Sequence, residues 1–143
     1  FGAPPPDLTL EARLRGPDWI YSYLKTFYVD PSRPFGVNNI VFPSVGMPHV
    51  LQELQGLPTP VYEEVEEHGK TVKKVVAVET DGQGEMSVDE YDQAARDITN
   101  FLEYVGEPSR LESESIGIKV LGFLFILFIL SFLLKKEYWR DVH

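Results

Sequence analysis

The sequence predicts a mainly α-helical protein: a small domain with long irregular loops and one β-hairpin, then a single C-terminal transmembrane helix. Three observations carry this. Ile116 to Leu134 is a run of 19 residues with one charge, Lys119. Two stretches upstream repeat apolar residues at helical spacing. Between them lies a proline-rich stretch that is too apolar for disorder. A total of 143 residues allows one small domain beside such a span.

The elements follow in chain order. GAPPPDL holds three consecutive prolines, which exclude helix and favour an extended segment packed against something. Asp7 and Thr9 are candidate caps for a short helix reaching about Arg15, ended by Gly16-Pro17. Pro17-Asp18 opens a second helix, WIYSYLKTFY, with Ile20, Tyr23, Leu24 and Phe27 on one face and a stop at Asp30-Pro31. Residues 30–60 carry six of the eleven prolines and are expected to form an irregular loop that wraps something. Residues 61–79 read as a hairpin about a His68-Gly69 turn. That turn pairs Glu67, Glu64 and Glu63 with Lys70, Lys73 and Lys74, and Val65, Tyr62 and Val61 with Val72, Val75 and Val76. Residues 82–86 make a glycine-rich turn, and Ser87 with Glu90 forms a capping box. Val88, Tyr91, Ala95, Ile98, Leu102 and Val105 then predict an amphipathic helix over 88–105, ended by Gly106 and Pro108.

The 116–134 run is apolar all round and roughly 28 Å long as a helix, which matches a bilayer core. Lys135, Lys136 and Arg140 follow it, whereas Glu112 and Glu114 precede it. The positive-inside rule places the C-terminus in the cytoplasm, or the matrix of a mitochondrion. The N-terminal part then faces the periplasm or intermembrane space. Tyr138 and Trp139 suit an interfacial belt, and Lys119 can snorkel. The expected organisation is an outer domain at 1–110, a linker at 111–115, an anchor at 116–135 and a tail at 136–143.

Charge is segregated along the chain. Residues 1–52 are neutral, residues 53–115 hold sixteen acids against five bases, and residues 116–143 carry a net +2. The total of −9 argues against nucleic acid, since phosphate binding needs a surplus of Lys and Arg. Zero cysteine excludes disulfides, thiolate metal sites and thiol catalysis by these residues. His49, His68 and His143 lack metal-ligand spacing, and no nucleophile elbow, P-loop or HExxH occurs. Glu63-Glu64 and Glu66-Glu67 read as a solvated hairpin face. Met86 reads as core filling. Met47 stands apart: Gly46 and Pro48 pin the backbone around a soft thioether in an ordered loop, which suits axial ligation of iron.

The ordered set GAPPPDL, RLRGPDWIYSYLKTFY, FPSVGMPH, EYDQAARDITNFLEYVGEP and a span ending LLKKEYW resembles the cytochrome c1 family, the c-type haem subunit of the cytochrome bc1 complex. The resemblance covers nearly the whole chain, with the hairpin its least typical part. It implies part of a cytochrome c-like fold with haem-wrapping loops. It implies Met47 as the axial iron ligand, Pro5 and Pro6 lining the haem, Arg15 on a propionate, and Trp19, Tyr23 and Leu24 against the porphyrin. The family's CxxCH attachment motif does not occur here, so the chain corresponds to the portion after it, and haem c is attached elsewhere. The implied role is an electron-carrier subunit rather than a stand-alone catalyst. It takes electrons from the Rieske iron–sulfur protein and gives them to a basic cytochrome c. Cytochrome b, a dimeric complex and the lipid bilayer are the other implied partners. The competing reading is a cofactor-free, single-span scaffold or assembly protein with an acidic outer domain.

Overall fold

The computed structural model describes residues 4–67, 70–80 and 82–142, in two compact units divided after Gly106. Residues 4–8 are extended, and a short helix α1 spans Glu11–Arg15. The Asp7 carboxylate does not cap it. It accepts from the Thr9 backbone N–H at 2.9 Å and the Thr9 hydroxyl at 2.6 Å, an Asx turn that closes before the helix begins. Gly16, at φ +89°, ends α1 and leads into α2, Pro17–Lys25, with Pro17 at its first turn. This left-handed conformation suits glycine, and a proline at the helix start needs no amide partner.

The second helix stops sooner than its periodicity predicts. Phe27–Val29 form a strand, β1, antiparallel to β2 at Val37–Asn39. Thr26, Phe27 and Val29 include two β-branched residues and an aromatic, so the strand competes well at this end of the helix. The expected loop over 30–60 is therefore only partly irregular. It holds β2 and a short helix α3, Gln52–Gln55, which Gly56 ends at φ +85°.

Strands β3, Thr59–Glu67, and β4, Lys70–Glu79, pair antiparallel. Glu67, Glu64 and Glu63 lie opposite Lys70, Lys73 and Lys74, and Val65 and Tyr62 lie opposite Val72 and Val75. The remaining expected pair is displaced: Val61 faces Ala77, not Val76, because an irregularity between Val61 and Tyr62 admits one extra residue. The His68-Gly69 turn lies outside the described residues.

Helix α4 spans Val88–Gly106. The Ser87 amide and hydroxyl both donate to Glu90 Oε2, at 2.9 and 2.8 Å, completing the capping box. Its buried residues are Tyr91, Ala95, Thr99 and Gly106; Val88, expected in the stripe, is exposed. Thr99 joins the buried face because its hydroxyl donates to the Ala95 carbonyl at 2.8 Å, which satisfies it internally. A side chain at Gly106 would sit 3.3 Å from Arg13 Cγ, so glycine permits the close approach to α1.

Asp92 ties α4 to α2. Its carboxylate accepts from the Lys25 ammonium and the Tyr21 hydroxyl on one helix and from Arg96 Nε, at 2.8 Å, on its own. These bonds, Lys25 first, hold its pKa far below the usual carboxylate range. The Tyr91 hydroxyl donates to the Leu24 carbonyl at 2.8 Å, and burial pushes the Tyr91 pKa up to about 12.

The second unit holds α5, Arg110–Tyr138. Residues 111–115, expected as a linker, are helical, since neither Gly nor Pro interrupts the chain between Pro108 and Gly117. At 29 residues α5 is roughly 43 Å long. It is the one helix among the described residues long and apolar enough to cross a membrane.

Candidate functional site

The core beneath the candidate site is small. Phe27, Val37 and Val45 are buried together, and Tyr23, Met47 and Leu57 pack against them. Phe27 therefore works from a strand, and the strand turns its ring under the Met47 loop. His49 lies over it, with the two rings stacked 4.8 Å apart at 8°.

The Met47 loop is held by two asparagines that the sequence reading did not single out. Asn39 is fully buried. Its Oδ1 accepts from the amides of Val41 and Phe42 at 2.9 and 3.1 Å, and its Nδ2 donates to the Tyr23 carbonyl at 2.8 Å. Asn38 Oδ1 accepts from the Ser44 amide at 2.9 Å, where Ser44 takes φ +63°. The amides of Val41, Phe42 and Ser44 take no backbone partner in a ladder, and here the two asparagine side chains supply their acceptors. The signal was an Asn-Asn pair inside an otherwise apolar run, a costly residue choice unless the amides are used.

Above this support four of the expected site residues meet. Trp19 and Tyr23, one helical turn apart on α2, stack at 5.0 Å and 11°. Tyr23 also meets Phe27 edge to face at 5.1 Å. Phe42, from the loop, lies edge-on to Trp19 at 6.3 Å. The Arg15 guanidinium sits over both rings, 4.5 Å from the Trp19 centroid and 5.4 Å from that of Phe42. Its Nε also donates to Glu11 at 2.8 Å. The Tyr23 hydroxyl donates to Met47 Sδ at 3.5 Å. Burial raises the Tyr23 pKa, and Arg15 opposes the shift.

The other expected residues lie apart from these contacts. Pro5 and Pro6 are exposed in the extended N-terminal stretch. Leu24 is half-buried, about 100° around α2 from Tyr23, and its carbonyl is held from the α4 side.

His49 was weighed for metal only by spacing. It is buried, its Nε2 has no hydrogen-bond partner, and burial pushes its pKa below the ordinary histidine value, with Gln55 opposing. Among the described residues no group of three His, Asp or Glu side chains can hold a metal ion. With His49 buried against Phe27, the half-buried Met47 thioether is the more accessible donor in this region. That donor suits a metal already held in a macrocycle, not one that needs a protein cage.

A profile of the Cytochrome C1 family matches residues 1–142. The chain belongs to the cytochrome c1 family. It is similar to cytochrome c1 of Allochromatium vinosum, at 59% identity over 145 residues, with 100% of this chain and 58% of that protein covered. It is 46% identical to a Nitrosomonas europaea protein named ammonia monooxygenase gamma subunit, covering 100% of this chain and 56% of that one. Cytochrome c1 of Rhodospirillum rubrum is 29% identical over 157 residues, with 99% and 52% covered. The chain thus spans little more than half the length of these curated relatives. Family membership agrees with the helical content and the apolar C-terminal helix. Members of the cytochrome c1 family carry haem c, whereas this sequence contains no cysteine to bond one.

Proposed function

We propose that these residues form the methionine-side wall of a c-type haem pocket in a membrane-anchored electron-transfer subunit of the cytochrome bc1 complex. The observation that carries the reading is Met47: in a chain of the cytochrome c1 family, its thioether packs on the buried Phe27–Val37–Val45 cluster and meets the hydroxyl of Tyr23, on which Trp19 stacks. A haem bound there supplies a one-electron Fe(III)/Fe(II) couple. Met47 would hold it through its thioether sulfur, together with a histidine from outside these residues. Thioether ligation in apolar surroundings favours a high potential. Trp19 and Tyr23 exclude water from one side, and Arg15 offers a cation for a propionate. Pro5 and Pro6 contribute a rigid edge with no amide to bury unpaired, and Leu24 adds apolar surface. Covalent attachment of haem c would need cysteines that these 143 residues do not supply.

In this reading the electron comes from a Rieske iron–sulfur protein and leaves to a basic cytochrome c, with cytochrome b and a second copy of the complex as neighbours. No proton transfer is asked of the chain. Helix α5 anchors it, with the C-terminal cations on the cytoplasmic or matrix side and residues 1–110 on the periplasmic or intermembrane-space side. The acidic stretch 53–115 steers a basic acceptor. A reduced-minus-oxidised spectrum of the intact membrane protein tests the role: quinol reduction produces a c-type α-band. Its absence, with the protein folded and inserted, instead supports a cofactor-free scaffold. Steering predicts that turnover with cytochrome c falls between about 20 and about 200 mM salt, as the Debye length shrinks about threefold. A flat salt profile rejects it.

A further inference from the structure

Tyr23 does more at this site than present a ring. Its hydroxyl donates to Met47 Sδ at 3.5 Å. A thioether sulfur carries two lone pairs and is a weak acceptor. A metal takes one pair, and the tyrosine occupies the other. Both ends of the contact are fixed. The Tyr23 ring is clamped between Trp19 and Phe27, at centroid distances of 5.0 and 5.1 Å. Its backbone carbonyl is held by Asn39 Nδ2 at 2.8 Å. Met47 packs on the Phe27, Val37 and Val45 cluster, and the same Asn39 fastens the loop that carries it. One buried asparagine thus sets the register of donor and acceptor together.

We propose that Tyr23 is a positioning residue that turns the free lone pair of Met47 towards iron and, by withdrawing density from sulfur, raises the haem potential. The inference rests on Met47 being the axial ligand. Its sign follows from the charge difference between the two oxidation states. Weakening the sulfur donor would cost Fe(III), the more highly charged state, more stabilisation than Fe(II), so the reduced form would gain relative to the oxidised one.

The test is a potentiometric titration of the intact, haem-loaded protein carrying Tyr23→Phe. The same samples are read for the sulfur-to-iron charge-transfer band of the ferric haem. Tyr23→Phe keeps the ring and its packing on Trp19 and Phe27, so the fold is retained. The expected result is a three- to tenfold shift of the couple towards Fe(III), about 30–60 mV lower at 59 mV per decade for one electron. The charge-transfer band is displaced or weakened. A Tyr23→Phe protein with an unchanged potential and an unchanged band reduces Tyr23 to packing and overturns the proposal. Met47→Leu in parallel separates this from failure of the ligand assignment. Persistence of the band in Met47→Leu removes the axial role of Met47, and the role of Tyr23 with it. Its loss there leaves the Tyr23→Phe result to decide.

Discussion

The aromatic base under Met47 and the β3–β4 hairpin are built in opposite ways. The first joins α2, β1, β2 and the loop after β2 through Tyr23, Phe27 and Asn39, of which Tyr23 and Phe27 are distant in sequence from Met47. The second joins two adjacent strands, and Tyr62, Val72 and Val76 remain exposed on it. The base derives its order from burial, whereas the hairpin derives its order from neighbouring pairs. A residue of the base is therefore fixed by many partners, and a residue of the hairpin by one or two. Only the base can hold a ligand atom to within the tolerance that redox tuning needs.

Truncating the base is the strongest way to break this contrast. Phe27→Ala removes a fully buried ring on which Tyr23, Val37, Val45 and His49 rest, and should cost about 3–5 kcal/mol. Tyr62→Ala in the hairpin should cost less than about 1 kcal/mol. Denaturant unfolding of the intact protein in detergent measures both. Equal losses would erase the distinction.

Asn39→Ala comes next, at about 2–4 kcal/mol, because it removes a fully buried side chain that accepts from the Val41 and Phe42 amides and donates to the Tyr23 carbonyl. It should also loosen the Met47 loop, read as faster hydrogen exchange at Val41, Phe42 and Ser44. Unchanged exchange would show that the loop is held from elsewhere.

Asp92→Asn has the smallest effect and a defined pH signature. Its pKa is depressed in the folded protein, mainly by Lys25, then Tyr21 and Arg96. The stabilisation is therefore present above the unfolded aspartate value of about 3.9, and it is lost as pH falls through that value towards the folded one. Thermal melts should show the parent protein losing stability in acid and Asp92→Asn following a flatter profile, with the two converging at low pH. Parallel profiles would assign the acid sensitivity to other carboxylates.

The same contrast explains what could be read from the residues alone. Glu64 opposite Lys73 and Val65 opposite Val72 follow from a turn and a count of two, so the hairpin register was legible up to the irregularity at Val61/Tyr62. The Ser87–Glu90 box was legible for the same reason. The apolar helix followed from its composition. Phe27 was misplaced at the end of a helix because its position suits helical spacing, and only pairing with Asn39 makes it strand. The Asn38-Asn39 pair stood out only as two polar residues in an apolar run, and His49 not at all; their partners lie in contacts made across the fold. Met47 could be singled out from Gly46 and Pro48, but its hydroxyl partner could not. Trp19, Tyr23 and Arg15 shared a helical neighbourhood in the sequence, whereas the arrival of Phe42 above Trp19 depends on the Asn39 clamp.

Everything proposed for this site rests on the Met47 thioether serving as an iron ligand. The most direct measurement of that role is the midpoint potential of the haem-loaded, membrane-inserted protein carrying Met47→Leu, with Tyr62→Ala in the hairpin as the comparison. In the proposed role, Met47→Leu should show a sharply lowered potential and loss of reduction by the Rieske centre, with Tyr62→Ala titrating like the parent. A Met47→Leu protein with an unchanged potential would contradict it.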